Sequence, residues 1–460
     1  MTFIDGLMIF FAIIILFYII VFFLRKKGIL EKYNLSLYGP FLMFKTTRGI
    51  NFLKKLAKRK RFLKSYGNFA IIFCLIVMIL FVILFIWNFI ILLGLSPEQR
   101  ASIPGPEFAL VLPGINPILP IEYLIYILIA FAVAIIVHEF SHGILTFVGE
   151  LKIKSMGLLY LIIPIGAFVE PDEEQMKKTN IPNRMRIYAV GPLSNFVVFF
   201  ICLLLFSFIF ISAVQPGEGL TVYEVYEDSP AFDIGIRKGA IITEFNGTDL
   251  SSYDNLNERF NQYILILNES QANTTITISY IFNKQLFSKN IELTDMYNYI
   301  PTNSSKGKGH TGIYSFVDEN KNLNMLKNPF SEDPMRKIFY FIALPIMGYF
   351  DGYNPITSPF TDSYKIQGPL EALPENAFWI IVNLLYWIAW LNLMVGLFNV
   401  LPMMPLDGGF LFNDYIRFTV LKVKKDLSTE KLDKIVRKIS LVISLIILFL
   451  IIAPFIFRYI

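Results

Sequence analysis

Six apolar runs constrain this sequence more than any other feature, because each is about as long as a helix that crosses the hydrocarbon core of a membrane. They lie near residues 3–24, 69–94, 121–148, 187–213, 377–402 and 439–457. Hydrophobic residues make up 55% of the 460 positions and charged residues only 17%, below the level of about a quarter that soluble domains carry. The fold class predicted is therefore a mainly α, polytopic membrane protein with about six transmembrane helices.

Two basic segments predict the orientation of these helices. Residues 45–64 and 422–438 are rich in Lys and Arg, and loops on the cytoplasmic side carry an excess of these residues. Six crossings then place the N-terminus, the 95–120 loop and the 214–376 segment outside. Four Asn-X-Ser/Thr sequons fall in that long segment and agree with this placement. The net charge of +5 is explained by the membrane, so no nucleic-acid partner is expected.

The third apolar run contains the sequence His-Glu-Phe-Ser-His at 138–142. Ionisable side chains are costly inside a membrane span and indicate function. On a helix, His138 and His142 share a face and can bind one metal ion, while Glu139 can face a water molecule beside it. The alternative is that the histidines only form hydrogen bonds within a helix bundle, but the chain has three histidines and two are here. The pattern predicts a catalytic zinc site, in which three protein ligands leave one coordination position open.

The third ligand is expected to be a carboxylate. The remaining histidine, His310, lies in an exposed-looking segment on the outer side, and Cys74 and Cys202 lie in unrelated apolar runs. Asp407 is the best placed acid, because it follows the fifth run at the cytoplasmic end, the end toward which the third run also leads. The alternative is a solvated aspartate in an ordinary Asp-Gly turn.

These motifs resemble the site-2 proteases, a family of intramembrane zinc metalloproteases. The matching segments are HEFSH at 138–142, GPLSN at 191–195 and NVLPMMPLDGG at 399–409. The resemblance implies one zinc ion bound by His138, His142 and Asp407, with Glu139 as general base. It also implies substrate-binding roles for Asn399, which would hold the substrate strand or the oxyanion, and for the hairpin around Gly166, which would pair with an unwound substrate. Asn195 is a further substrate-binding candidate, although an asparagine in a span also serves helix packing.

Other segments predict how the chain is divided. Residues 1–94 form two spans with a basic cytoplasmic loop, 95–213 and 377–460 form the two parts of the catalytic membrane core, and 296–376 connects them outside. Within the first core part, 151–176 is expected to form a β-hairpin. Residues 337–350 are too short for a crossing and are expected to form an interfacial or re-entrant helix.

Residues 214–295 are similar to a PDZ domain of the protease-associated type. The similarity lies in strand-like runs from residue 219, in Ser229-Pro230-Ala231, and in Gly235 and Gly239. Ala240 departs from the pattern, because such domains usually carry an aspartate there. The resemblance implies an inserted extracytoplasmic α+β domain that filters substrates by bulk or by their trimmed ends, and the alternative is a β-rich spacer without a ligand.

The sequence thus predicts an intramembrane endopeptidase that cuts membrane-anchored proteins in regulated proteolysis, some of them first trimmed by another protease. Its composition, rich in Ile, Lys, Phe and Asn, suggests the plasma membrane of a prokaryote, with the active site toward the cytoplasm. Two alternatives stay open: a catalytically silent membrane scaffold that binds proteins through the PDZ-like domain, and a zinc transporter. The sequence does not determine the substrate or the oligomeric state.

Overall fold

The computed structural model describes residues 3–38, 41–109, 114–160, 164–253, 255–424 and 427–459. The chain divides into two compact units, and the divisions fall within two long helices. Unit 1 comprises residues 1–202 and 387–460, and unit 2 comprises residues 203–386.

Unit 1 is built mainly from helices. Its helices and strands, together with the two helices that continue into unit 2, are α1 (Phe3–Lys26), α2 (Ile29–Lys32), β1 (Leu35–Tyr38), β2 (Phe41–Thr46), α3 (Ile50–Leu56), α4 (Lys60–Gly94), α5 (Pro97–Ala101), α6 (Leu124–Val148), β3 (Ile153–Tyr160), β4 (Pro164–Pro171), α7 (Glu173–Lys178), α8 (Ile181–Leu204), α13 (Glu375–Val400), α14 (Asp407–Val423) and α15 (Thr429–Phe457).

Five helical segments in the described part of the chain are long and apolar enough to cross a membrane. They are Lys60–Gly94, Ile121–Val148, Ile181–Ala213, Glu375–Val400 and Thr429–Phe457. These agree with five of the six predicted crossings. The remaining predicted crossing, at residues 3–24, falls on α1. Many side chains at the start of α1 lie outside the described part of the chain, so this crossing stays a prediction.

The predicted hairpin at 151–176 forms as β3 and β4, and its tip at 161–163 lies outside the described residues. Two strands that the sequence analysis assigned to no sheet, β1 and β2, extend the hairpin to an antiparallel sheet in the order β1-β2-β3-β4. Gly157 on β3 allows this close pairing, because a Cβ there would overlap the carbonyl oxygen of Phe44 on β2. In the described part of the chain, β4 is therefore one edge of the sheet.

A polar network ties three strands of this sheet together. Glu170 on β4 accepts hydrogen bonds from Ser155 on β3 (2.5 Å) and from Lys45 on β2 (3.2 Å). The hydrogen bond from Ser155 and the nearby Lys45 ammonium hold the pKa of Glu170 below its ordinary value, because both stabilise the carboxylate. Residues from the N-terminal segment thus support the hairpin.

Unit 2 contains most of the strands. Its elements between α8 and α13 are β5 (Val214–Pro216), β6 (Leu220–Val225), α9 (Pro230–Asp233), β7 (Ile241–Phe245), β8 (Thr248–Asp249), α10 (Leu256–Glu269), β9 (Thr275–Phe282), β10 (Gln285–Glu292), β11 (Thr294–Asp295), β12 (Gly309–His310), β13 (Ile313–Phe316), α11 (Glu319–Leu326), α12 (Pro334–Phe350) and β14 (Tyr364–Ile366).

The main sheet of unit 2 runs in the order β10-β9-β7-β6-β13, with β8 paired to β7. One apolar core joins its strands to α10, and Tyr263 and Leu267 of that helix are buried in it. Gly235 and Gly239 adopt φ angles of 95° and 85°, a left-handed conformation that favours glycine. Unit 2 thus has the mixed α and β character that was expected, and its assignment as a PDZ-like domain stays a prediction.

Two expectations for unit 2 need correction. The sheet does not stop at residue 295, since β13 pairs with β6 and carries it to residue 316. His310 is buried and not exposed: its Nδ1 accepts a hydrogen bond from the Gly312 N–H (2.8 Å), and its ring lies 4.9 Å from that of Tyr299. Burial lowers the pKa of His310.

Candidate metal centre

The two histidines of the HEFSH motif lie one helical turn apart on α6. Both are buried, and their ring centroids are 4.7 Å apart. Asp407, the first residue of α14, brings its Oδ2 to 2.8 Å from His138 Nε2 and 3.1 Å from His142 Nε2. The three ligand atoms lie within 4.8 Å of one another, in a group that could hold a metal ion.

The hydrogen-bond partner of Nδ1 on each imidazole determines which ring nitrogen faces this group. His142 Nδ1 lies 2.6 Å from the Ile187 carbonyl oxygen, which can only accept, so Nδ1 carries the proton. His138 Nδ1 lies 2.7 Å from Asn195 Oδ1. The orientation of this amide is set because Asn195 Nδ2 donates to the Ala134 carbonyl (2.9 Å). In its neutral form, each ring therefore presents an unprotonated Nε2 to Asp407.

This arrangement tests whether the residues fit a metal. With both rings neutral and both Nδ1–H groups donating, the two Nε2 atoms and Asp407 Oδ2 are three lone-pair atoms that face one another without a proton between them. Their mutual repulsion is relieved by a cation, and two neutral imidazoles with one carboxylate are a donor set that zinc accepts. The residues present fit a zinc ion.

Asn392 on α13 is a further residue of this centre, and it was not predicted from the sequence. Its Oδ1 accepts a hydrogen bond from Asn195 Nδ2 (2.9 Å), and its own Nδ2 donates to the Ile388 carbonyl (2.8 Å). Asn195 and Asn392 are both fully buried. The one available signal was an amide side chain within the apolar run 377–402, since uncharged polar groups also hydrogen-bond between helices in spans.

Asn195 therefore has a different place from the substrate contact proposed for it. Its amide is occupied by His138, Ala134 and Asn392, and it lies on the Nδ1 side of the ring, away from Asp407. This geometry favours the interhelical hydrogen bond, which was the other reading of Asn195. Its contact orients the His138 ring, and its substrate-binding role stays a prediction.

Glu139 connects the HEFSH helix with the sheet. Its Oε2 accepts a hydrogen bond from the backbone N–H of Val169 on β4 (2.9 Å). Val169 is on the edge strand, and its N–H donates to Glu139 and not to β3. Glu139 therefore lies on the side of β4 that faces away from β3. The carboxylate is oriented by the strand expected to hold a substrate.

Glycines allow the elements to approach closely at this centre. A Cβ at Gly191 on α8 would overlap His142 Nε2 and lie 2.9 Å from His138 Cε1. In the first turn of α14, a Cβ at Gly408 would overlap the Val400 carbonyl, and one at Gly409 would lie 2.7 Å from the Met403 carbonyl oxygen. Gly191 thus lets the backbone of α8 approach the two histidines. Gly408 and Gly409 let the start of α14 pack on the turn that precedes it.

The remaining two candidates are Asn399 and Gly166. Asn399 is near the end of α13, half-buried, and its Nδ2 donates to the Val395 carbonyl of the same helix (3.1 Å). Gly166 lies on β4 opposite Leu159 of β3 and is half-buried. Among the described residues, no hydrogen bond or ion pair joins Asn399 or Gly166 to the metal centre, and their roles stay predictions.

A buried ion pair positions the helix that carries Asp407. Arg184 on α8 donates from Nε (2.8 Å) and from Nη2 (2.7 Å) to the two carboxylate oxygens of Asp414, two turns along α14. Its Nη1 also donates to the Thr179 carbonyl (3.1 Å). The planar, bidentate geometry fixes the position of α14 against α8.

Comparison with known proteins assigns this arrangement to a family. The model of peptidase family M50 matches residues 126–447, more than two thirds of the chain and the whole region from HEFSH to the turn before α14. The chain belongs to peptidase family M50. This confirms the resemblance to the site-2 proteases and places the chain among metalloproteases.

Individual proteins are similar to large parts of this chain. The chain is 27% identical over 413 residues to an uncharacterised protein of Methanocaldococcus jannaschii. This alignment covers 89% of the chain and 86% of the relative. It is 24% identical over 249 residues to the zinc metalloprotease RasP of Shouchella clausii, with 53% of each chain covered. Among solved structures, the PDZ domain of the SdrC-like protein of Listeria monocytogenes is 22% identical and covers 25% of this chain and 98% of that domain, with a TM-score of 0.18.

Proposed function

We propose that this M50 chain is a zinc-dependent endopeptidase that cleaves other proteins within their membrane-spanning segments. The observation that carries the proposal is the cluster of His138, His142 and Asp407, because its histidines lie on a helix that is itself long and apolar enough to cross a membrane. A protease whose ligands lie on such a helix meets its substrate inside the bilayer.

His138, His142 and Asp407 would hold one zinc ion. When bound, zinc supplies Lewis-acid activation of a water molecule and of the scissile carbonyl. The acceptors behind the two rings hold each Nε2 in its ligating form. Asp407 is at the N-terminus of α14, where the helix dipole favours the ionised carboxylate that a ligand needs.

Glu139 would move the proton. As general base it takes a proton from the attacking water, and as general acid it passes the proton to the leaving amine nitrogen. The hydrogen bond from the Val169 N–H holds one carboxylate oxygen, so the other is left to exchange the proton. The same bond puts the proton-transferring group beside the edge of β4.

The substrate would bind as an extended strand along β4. Peptide groups of a transmembrane helix are already hydrogen-bonded within the helix, so a cleavable segment must first unwind. An edge strand offers backbone N–H and C=O groups that replace those lost bonds. Gly166 would lie in this pairing strand, and Asn399 would hold the strand or the oxyanion. Helix-breaking residues in the substrate should favour cleavage.

The proposed setting is the plasma membrane of a prokaryote. The basic segments 45–64 and 422–438 support a cytoplasmic active site with unit 2 outside. Substrates would be membrane-anchored proteins, and the PDZ-like part of unit 2 would admit those that another protease had trimmed. An apolar groove of about 440 Å³ supports such a role. It lies between β13 and α10 and is lined by Phe316 of the strand and Tyr263 of the helix.

The test is cleavage of a panel of tagged single-span proteins in proteoliposomes. A product cut within the span is expected from the unaltered chain. Glu139→Gln should abolish cleavage while zinc stays bound, because glutamine cannot take the proton, whereas Asp407→Ala should lose the zinc. Cleavage by Glu139→Gln at the normal rate, or full zinc content in Asp407→Ala, would contradict the assigned roles.

A further inference from the structure

The helix α12 of unit 2 has an exposed apolar face. Met335, Phe339 and Ile346 are 82%, 71% and 45% exposed. Their spacing of four and seven residues puts them on one side of the helix, and we call them the outer face. The opposite side carries Phe341 and Leu344, which are buried. Apolar side chains this exposed and aligned in a row indicate contact with something other than water.

The buried side of α12 locates the helix relative to the predicted spans. Phe341 packs against Phe206 (ring centroids 5.2 Å apart) and Tyr386 (4.9 Å), and its carbonyl accepts a hydrogen bond from the Tyr386 hydroxyl (3.2 Å). Phe206 lies in the candidate span Ile181–Ala213, and Tyr386 lies in the candidate span Glu375–Val400. The middle of α12 is therefore attached to two helices that are expected to cross the bilayer.

Helix lengths give the depth of this attachment. The 26 residues of α13 extend for about 39 Å, whereas a hydrocarbon core is about 30 Å thick, so about 9 Å of an upright helix projects beyond it. Tyr386 is about 16 Å along the axis from Glu375, at 1.5 Å per residue. Even if the whole projection is at the Glu375 end, Tyr386 lies about 7 Å inside the hydrocarbon. The Phe341 ring is 4.9 Å from that of Tyr386, so Phe341 lies at a similar depth, and interfacial helices lie about 5–10 Å into the boundary between the headgroups and the acyl chains.

Charged and polar groups at the two ends of α12 agree with a helix that lies along this boundary. Arg336 and Lys337 lie in its first turn, and Lys337 Nζ donates to Ser331 Oγ (2.8 Å). At the other end, the carbonyl of Asp351 accepts a hydrogen bond from Lys238 Nζ (2.5 Å). Lys238 lies in the loop before β7. A helix with wet ends and an apolar face is the pattern of interfacial helices.

We propose that α12 is an interfacial helix whose outer face lies among the lipid acyl chains of the leaflet nearest unit 2. Because Lys238 joins its end to the main sheet of unit 2, the helix would hold that sheet against the membrane surface. The proposal depends on α8 and α13 crossing the bilayer, and it does not depend on proteolysis. A failure of the cleavage test would therefore leave it standing.

The experiment uses single cysteines, because the chain has only Cys74 and Cys202 and both are buried. Both are replaced by alanine, and cysteine is then placed at Phe339, at Ile346 or, as a matched control, at Leu286, which is 70% exposed on β10 of the same unit. Each full-length variant is labelled with an environment-sensitive NBD maleimide and reconstituted in phosphatidylcholine liposomes, with and without lipids that carry a nitroxide quencher on the acyl chain.

Labels at residues 339 and 346 should emit at shorter wavelength than the label at residue 286 and lose at least half of their emission to the quenching lipid. The label at residue 286 should show neither effect. Emission at 339 and 346 that matches the control would overturn the proposal. A blue shift without lipid quenching would also overturn it, because the outer face would then be covered by protein, such as a second copy of this chain.

Discussion

At the scale of single residues, the metal centre is defined by what lies behind its ligands. The Ile187 carbonyl and the Asn195 amide oxygen each bind the Nδ1 side of one imidazole, so the neutral rings present free Nε2 lone pairs to Asp407. Partners of this kind orient a ligand and set its basicity, and their loss typically lowers metal affinity about 10- to 100-fold. The asparagines of α8 and α13 therefore belong to the centre as much as the HEFSH motif does.

Gly191→Ala should reduce zinc binding strongly, because the added Cβ would overlap His142 Nε2 and press on His138. Gly166→Ala is the matched control, since a Cβ there would meet only the Leu159 side chain, at an ordinary 3.6 Å. Zinc content per chain after purification and competition with a chelator measure the effect. We expect at least a tenfold loss of affinity in the first variant and none in the second. Equal affinities in both would show that α8 can move away without cost.

The buried acid of unit 2, Glu319, should make stability depend on pH. It accepts a hydrogen bond from Thr221, lies near Ser363, Arg259 and Asp318, and burial raises its pKa to about 7. The folded state therefore holds a proton that the unfolded chain releases between its ordinary pKa, about 4.5, and 7. Stability should be highest near pH 4.5, fall as the pH rises toward 7, and change no further from this group above 7.

Glu319→Gln tests this dependence, because glutamine resembles the protonated acid in shape and carries no charge. Thermal unfolding of the full chain in detergent from pH 5 to 8 should show a smaller loss of stability with rising pH in the variant than in the unaltered protein. Identical pH profiles would mean that another group carries the dependence.

At the scale of elements, the position of Asp407 depends on how α14 is held. Arg184 and Asp414 bind each other through two hydrogen bonds, both are largely buried, and the pair joins α8 to α14. The sheet is held in a similar way, since Lys45, Ser155 and Glu170 link three of its strands. Contacts away from the proposed zinc ligands thus hold α14 and the sheet in place.

Arg184→Leu should destabilise unit 1 by about 3–5 kcal/mol, because it leaves the Asp414 carboxylate buried without a partner. It should also weaken zinc binding, since α14 begins with Asp407. The double variant Arg184→Leu, Asp414→Leu removes both charges and should recover most of the stability. Thermal unfolding and zinc content of the three proteins are compared. If the double variant is as unstable as the single one, lost packing and not the unpaired charge is the cause.

At the scale of the whole molecule, the chain joins a helical metal centre to a β-rich unit through two long helices. The proposed filter can be removed only with the complete sheet. A deletion of 216–295 would leave β13 without β6, its partner. The sheet itself extends from Leu220 on β6 to Phe316 on β13, so these residues define the segment to remove.

Replacing residues 220–316 by a short flexible linker should allow untrimmed substrates to be cut about as fast as trimmed ones, because the sheet would no longer hold back their outer parts. Cleavage of matched trimmed and untrimmed substrates in liposomes measures this, and Glu139→Gln in the same background shows that the cutting is by this centre. Discrimination that survives the deletion would contradict the filter.

Much of this protein could be predicted from local patterns. Apolar runs are long enough to specify helices by themselves, and the i, i+4 spacing of His138 and His142 requires only one helical turn. Alternation of β-forming residues with Gly and Pro likewise predicted the hairpin of β3 and β4. In each case the residues that decide the structure are close together in the chain, so their spacing determines their arrangement.

Tertiary structure decided what depends on residues far apart in the chain. It brought Asp407 to histidines some 270 positions earlier, paired β2 with β3, placed Asn392 behind Asn195, and buried His310 beside Tyr299. Local sequence sets the direction of a side chain on its own element, but which partner it meets depends on how elements pack, and packing depends on all of them together. The sequence by itself thus determined the donor chemistry and the helices, and only the folded chain determined the centre in which the donors meet.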